Sequence, residues 1–168
     1  MWLSRLNVTI QAGALVLAVC MLAATAHAAG KVHVVKMLNK STTDRKERMV
    51  FEPSILKVSV GDTVRFVSTD RGHKSASIKR MLPEGVKRWT SRIGKDFEMT
   101  FDKNGTYGYM CTPHYGMGMV GLILVGDYRV NFEEVAKKRQ RGKAKKRFDQ
   151  MFAEVRETEQ KKPTDLVN

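Results

Sequence analysis

Residues 104–125 read NGTYGYMCTPHYGMGMVGLILV, and the reading of this stretch decides the fold. Asn104-Gly105 is a strong signal for a hairpin turn. Beyond it, Tyr107, Tyr109 and Cys111 fall on one face of a strand, which places Cys111 at the end of a core strand. The run Val120 to Val125 is apolar throughout, the pattern of a last, fully buried strand. Between the two strands, Cys111, His114, Met117 and Met119 bring a thiolate, an imidazole and two thioethers into one short loop. With His73 they supply two histidines and a cysteine for a plane and a methionine for a weak axial position, the ligand set of a blue-copper electron-transfer site.

Working outward, the same β signature continues toward the N-terminus. Residues 32–38 read as a first strand. Leu56, Val58 and Val60 alternate with Lys57 and Ser59, Gly61-Asp62 marks a turn, and Val64 and Phe66 alternate with Thr63, Arg65 and Val67. Phe97, Met99 and Phe101 alternate with Glu98, Thr100 and Asp102. Short strands with regular turn signals predict a mainly β domain, a sandwich or closed barrel. After Gly126 the period changes. Asn131 with Glu134 three residues on resembles a capped helix start, followed by Phe132, Val135 and Ala136, with Gly142 as the break. Phe148, Met151, Phe152 and Val155 form a second helical stripe. Two C-terminal helices should therefore pack on the sheet edge or face, with fraying from Pro163 onward.

The N-terminus reads as an address. Arg5 is the only charge before Lys31, residues 12–26 are apolar and small, and Ala26-His27-Ala28 fits an A-x-A cleavage site. The sequence predicts export with cleavage after Ala28, leaving one domain of 140 of the 168 residues. The formal charge then falls from +13 to +12, because only Arg5 is lost. Cys20 leaves as well, so Cys111 becomes the sole thiol and no internal disulfide can form. A metal bond explains why an exported chain carries one exposed-chemistry cysteine better than an inert buried role does.

The loop has mechanical reasons to hold a metal. Cys111 gets a fixed position from its strand, and His114 can turn back toward the same point. Pro113 removes a backbone donor and restricts the chain, and Gly116 and Gly118 let a methionine swing across one axial face. Spacing leaves Met117 and Met119 both within reach of that role. Covalent haem is excluded because the second cysteine of C-x-x-C-H is missing. Structural zinc lacks a fourth strong ligand, and catalytic zinc would need the position that a methionine closes. His33 reads as a structural or surface histidine.

The segment 111–119 with Val120 to Asp127 resembles the pseudoazurins, a group of periplasmic cupredoxins. Met37-Leu38-Asn39-Lys40, residues 49–53, Gly61-Asp62-Thr63-Val64, Gly72-His73 and Pro83-Glu84-Gly85 resemble the same family in order and spacing, over residues 32–158. The resemblance implies a cupredoxin-like Greek-key sandwich of eight strands with two C-terminal helices: residues 1–28 a cleaved signal peptide, 29–126 the copper-bearing sandwich, 127–168 a helical extension on the same domain. It implies that one copper ion is held by His73, Cys111 and His114 in the plane, and it gives the axial role to Met119 rather than Met117. It implies that Met49 packs beside the second histidine ring and that Pro113 shields the metal. It implies single-electron shuttling to nitrite reductases and related periplasmic enzymes. One departure stands out. The family usually has Asn after the first histidine ligand, where its side chain ties the two ligand loops together. Here the residue is Lys74, which has donors and no acceptor.

Charge shapes the expected partners. Lys40, Arg45, Lys46, Arg71, Lys74, Lys79, Arg80, Lys87, Arg88 and Arg92 are expected near loops flanking the site. Such a ring around an apolar exit of Pro113, Tyr115, Met117 and the neighbouring glycines would steer acidic-surfaced redox partners. Eight basic residues between Lys137 and Arg147 read mainly as a solvated helix face. Nucleic acid is not an expected partner, since an exported chain does not meet it and no reader motif is present. The expected protein is a soluble periplasmic monomer without stable membrane insertion, an electron carrier and not an enzyme. The alternative is a copper storage or delivery protein, which would favour exposed Met or His clusters.

Overall fold

The computed structural model describes residues 30–161. The expected signal peptide and the tail from Pro163 lie outside the described residues. Among the described residues there are eight strands: β1 (Val32–Lys40), β2 (Arg48–Glu52), β3 (Ile55–Val58), β4 (Thr63–Val67), β5 (Ala76–Ser77), β6 (Phe97–Thr100), β7 (Gly105–Met110) and β8 (Val120–Val125). They form two four-stranded sheets, ordered β2-β1-β4-β6 and β3-β8-β7-β5. Two helices follow, α1 (Arg129–Ala136) and α2 (Gly142–Gln160).

Alternation along the strands builds two cores. One face of β7 sends Tyr107 and Tyr109, with Cys111 just beyond, into the space between the sheets. There they meet Val35, Met37, Phe51, Val64, Phe66, Ile123 and Val125. Tyr109 lies edge-on to Phe51 and Phe66, with ring centroids 4.6 and 5.2 Å apart. Such pairs add roughly 0.5–1.5 kcal/mol each beyond the area they bury. The other face of the second sheet sends Val120, Leu122 and Leu124 toward the helices, where Phe132, Val135, Phe148, Met151, Phe152 and Val155 cover them. Burial on both faces is why 120–125 reads as a continuous apolar run rather than an alternating one. Both helical stripes therefore pack as expected, on the face of one sheet.

Four local expectations are corrected. Asn104-Gly105 is not a hairpin. β6 pairs with β4 in one sheet, whereas β7 pairs with β5 and β8 in the other, so the chain crosses between sheets here. Asn104 Oδ1 instead accepts the Asp127 N–H at 3.0 Å. Gly105 has φ +140, and a Cβ there would stand 2.5 Å from Pro83 Cγ, so the position requires glycine. Asn131 is not a helix cap. Its side chain lies within α1, where its oxygen accepts the Thr106 N–H (2.7 Å) and its amide donates to the Thr106 carbonyl (3.1 Å), clamping α1 onto β7. α1 ends at Ala136, so Gly142 opens α2 instead of breaking α1. Val60 also falls outside β3 and is exposed, because the chain is already turning toward Gly61.

Candidate metal centre

At one end of the sandwich the chain brings three donors together. Cys111 directly follows β7. His114 sits in a short helical turn (Thr112–Met117) with its own φ/ψ outside the helical range. His73 comes from the connection between β4 and β5. The Nδ1 atoms of His73 and His114 face each other at 3.1 Å, and Cys111 Sγ stands 3.9 Å from the first and 3.4 Å from the second. All three ligand atoms lie within 4.8 Å of one another. An ion about 2.0 Å from each imidazole and about 2.3 Å from the sulfur, in one plane, would need donors roughly 3.5–3.7 Å apart. The observed triangle fits a small transition-metal ion with little adjustment. Its mixture of thiolate and imidazole suits copper.

The loop closes on itself. His114 N–H donates to the Cys111 carbonyl (3.1 Å), Met119 N–H to the His114 carbonyl (3.1 Å), and Cys111 N–H to the Met119 carbonyl (2.9 Å). These bonds pull Met119 beside Cys111, in the same buried cluster, with no exposed surface. Met117 is 43% exposed. Burial thus separates the two methionines that spacing left equal: Met119 stands with the donors and Met117 at the rim.

Longer-range contacts hold His73. Its Nε2–H donates to Asn39 Oδ1 at 3.0 Å. That bond fixes the tautomer and leaves the Nδ1 lone pair toward the site. Asn39 is held in turn, its N–H donating to Asp70 Oδ2 at 2.6 Å, while Asp70 N–H donates to the Met37 carbonyl. The His73 carbonyl accepts the Gly94 N–H at 2.8 Å, and Trp89 Nε1–H donates to Ser75 Oγ at 3.0 Å, so the 89–94 strap backs the loop. Burial, with His114 beside it, lowers the His73 pKa. Burial raises the Cys111 thiol, while the Lys74 and His114 backbone N–H groups aimed at the sulfur pull the other way. Metal binding must therefore displace a proton from Cys111.

The remaining expected residues divide. Met49 is half-buried against the inter-sheet core, in the strand that packs beside the 112–117 turn. Pro113 is exposed next to His114. Tyr115 departs from the expected exit: it packs with the helical core and its hydroxyl donates to Gln140 Oε1 at 2.6 Å. Lys40 and Arg71 are exposed and Lys74 half-buried, near the His73 loop that Asn39 and Asp70 join. Lys79 and Arg80 lie between Ile78 and Met81, which both bond Gly108, roughly 10 Å along β7 from Cys111 at about 3.3 Å per residue. His33 lies elsewhere and bonds Asp62 Oδ2 at 2.8 Å.

Sequence reasoning missed Asn39 and Arg147. Nothing local says which imidazole nitrogen Asn39 will meet. Arg147 did carry a signal, since it falls on the line Ala144, Phe148, Met151 of the buried face of α2.

Comparison with known proteins follows the same lines. The profile of copper binding proteins of the plastocyanin/azurin family matches residues 35–126. The pseudoazurin of Paracoccus pantotrophus is 41% identical over 138 residues, covering 82% of this chain and 93% of its own. That of Methylorubrum extorquens is 39% identical over 134 residues, covering 80% and 88%. Among solved structures, pseudoazurin from Methylobacterium extorquens AM1 superposes with TM-score 0.70 at 38% identity, over 74% of this chain and 99% of that one. Pseudoazurin from Hyphomicrobium denitrificans gives 0.69 at 41% identity, over 74% and 98%.

Proposed function

Because the chain belongs to the plastocyanin/azurin family of copper-binding proteins, and within it to the pseudoazurins, we propose how this copper electron carrier holds its metal and meets its partners. His73, Cys111, His114 and Met119 would hold the copper, which would supply a one-electron couple between Cu(II) and Cu(I). The chain's part is to keep the donors still and dry. His73 and Cys111 are fully buried, and hydrogen bonds from Asn39 and Gly94 to His73 and between Cys111 and Met119 leave them little room to move.

One observation carries this reading: of the three convergent donors, only His114 is partly exposed. Its ring edge, rimmed by exposed Pro113, Gly116 and Met117, is the port for the electron. Lys40, Arg71 and Lys74 border that port and steer an acidic-surfaced partner, a nitrite reductase or a related redox enzyme. The protein works as a monomer in the periplasm after loss of residues 1–28. Residues 29–126 form the copper domain, and 127–168 a helical extension of it. Among the described residues no helix is long and apolar enough to cross a membrane. Four protein donors leave no position for a substrate, so the protein carries electrons and is not an enzyme.

The test is the visible and EPR spectrum after one equivalent of Cu(II) is added. An intense thiolate-to-copper colour that bleaches reversibly with a mild reductant supports the reading, and a pale spectrum removes Cys111 from the ligand set. The electron-transfer rate to an acidic partner should also fall with salt, since exposed charges are screened beyond about 10 Å at 0.1 M.

A further inference from the structure

Of the eight basic residues between Lys137 and Arg147, Arg147 is the least exposed, its side chain 20% accessible. The buried stripe of α2 directs it away from solvent and under the metal loop. There its guanidinium meets four acceptors. Nη1 donates to the carbonyls of Met49 (2.7 Å) and Gly118 (2.8 Å). Nη2 donates to the Arg48 carbonyl (2.8 Å) and to the Glu47 carboxylate. A planar fork of five donors can serve such a set, and a lysine ammonium cannot reproduce it.

The two carbonyls on Nη1 are not ordinary ones. Met49 and Gly118 both have left-handed backbone, φ +52 and +88. A non-glycine residue stays in that region only when its surroundings hold it there. At Gly118 a Cβ would come within 3.2 Å of Arg147 Cδ and of the Lys143 carbonyl oxygen, so α2 is packed directly against this hinge. The hinge carries Met119. The Gly118–Met119 peptide is gripped on both sides: its N–H donates to His114, and its carbonyl accepts from Arg147. The first bond is internal to the loop. The second comes from outside it, from α2.

We infer that Arg147 is a positioning residue for the copper site: it fixes the Gly118–Met119 peptide against α2 and β2 and so sets where the Met119 sulfur stands. The inference rests on Met119 being the axial ligand. It gives α2 a role in the redox centre beyond covering the second sheet, and it assigns one residue of a basic run to the inside of the protein.

Arg147→Gln, Arg147→Lys and Glu47→Gln test it with two readouts. The first is amide hydrogen exchange at Met119 in the copper-free protein, compared with Ile123 and Leu124 in β8. The second is the EPR and visible spectrum of the Cu(II) form. Arg147→Gln is expected to speed exchange at Met119 by about tenfold or more, leave the β8 amides at their original rates, and change the copper spectrum. Arg147→Lys should restore part of both, because an ammonium can still reach a carbonyl. Glu47→Gln should leave the spectrum as it was. Unchanged exchange at Met119 overturns the inference. So does equal acceleration across β8, which would make Arg147 a general stabiliser, and so does local acceleration with an unaltered spectrum. If Arg147→Gln does not fold, Arg147→Lys decides by the same two readouts. Met119→Leu, measured alongside, keeps the two ideas apart: an unaltered spectrum there removes the ligand assignment, while the exchange result at residue 147 still reports on the hinge.

Discussion

The two halves of the metal site are built in opposite ways. Cys111, His114 and Met119 lie within nine residues, and their loop is closed by its own backbone hydrogen bonds. His73 stands thirty-eight residues before Cys111 and is held by Asn39 of β1 and Gly94 of the 89–94 strap. The first half is a local motif that brings one donor to the surface. The second is a long-range assembly with its imidazole sealed from solvent. The difference teaches how a site can be both rigid and reachable: the remote half fixes one ring completely, so the local half can expose the edge of the other without loosening the donor triangle.

Substitutions should reveal that division. The largest effect is expected at Cys111→Ser, which should abolish the intense visible absorption of the copper form; persistent colour would mean the sulfur is not a ligand. Next, Met119→Leu should keep some colour but raise the reduction potential, as a weak donor to Cu(II) is lost, at a stability cost below about 1.5 kcal/mol for a near-isosteric swap. Met117→Leu should leave the potential unmoved. Voltammetry that finds the reverse would exchange the roles of the two methionines. In the remote half, Asn39→Ala should lower copper affinity by about 10–100-fold, the usual cost of removing a group that orients a ligating histidine. A chelator competition with unchanged affinity would show that burial alone holds His73.

The smallest effect on the metal is expected far from it. At the Gly61 turn the Asp62 carboxyl is held below its ordinary pKa by the Ser59 N–H first, then by His33 and the Lys31 N–H. A depressed folded pKa contributes stability that is present above the unfolded value and lost as pH falls through the folded one. Asp62→Asn should therefore lower Tm at pH 7, and the gap from the parent should close as pH drops below about 4. The copper spectrum should stay as it was. A spectral change would mean that the two ends of the sandwich are coupled.

Much of this was legible in the chain. Alternation gave the core faces of β4, β6 and β7, because a period of two reports directly which side chains meet the interior. The stripe from Phe148 to Val155 gave α2 for the same reason at period 3.6. The local donors were legible because a strand end and a tight loop leave few ways to arrange nine residues. Other readings failed where a local signal met a distant partner. Asn104-Gly105 has hairpin chemistry, but Pro83 and Asp127 draw it into a crossing between sheets. Asn131 has cap chemistry, but the open backbone of Thr106 claims its side chain.

By itself, then, the sequence determined the strand faces, the helical stripes and the identity of the sulfur and imidazole donors, since each depends on residue type at short spacing. Only the tertiary structure decided which methionine is buried with them, which nitrogen of His73 turns inward, and that Arg147 leaves the solvated face to grip Gly118. Those outcomes depend on groups brought together across dozens of residues, and a backbone carbonyl such as that of Gly118, Met49 or His73 carries no mark in the sequence until the fold puts a donor in front of it.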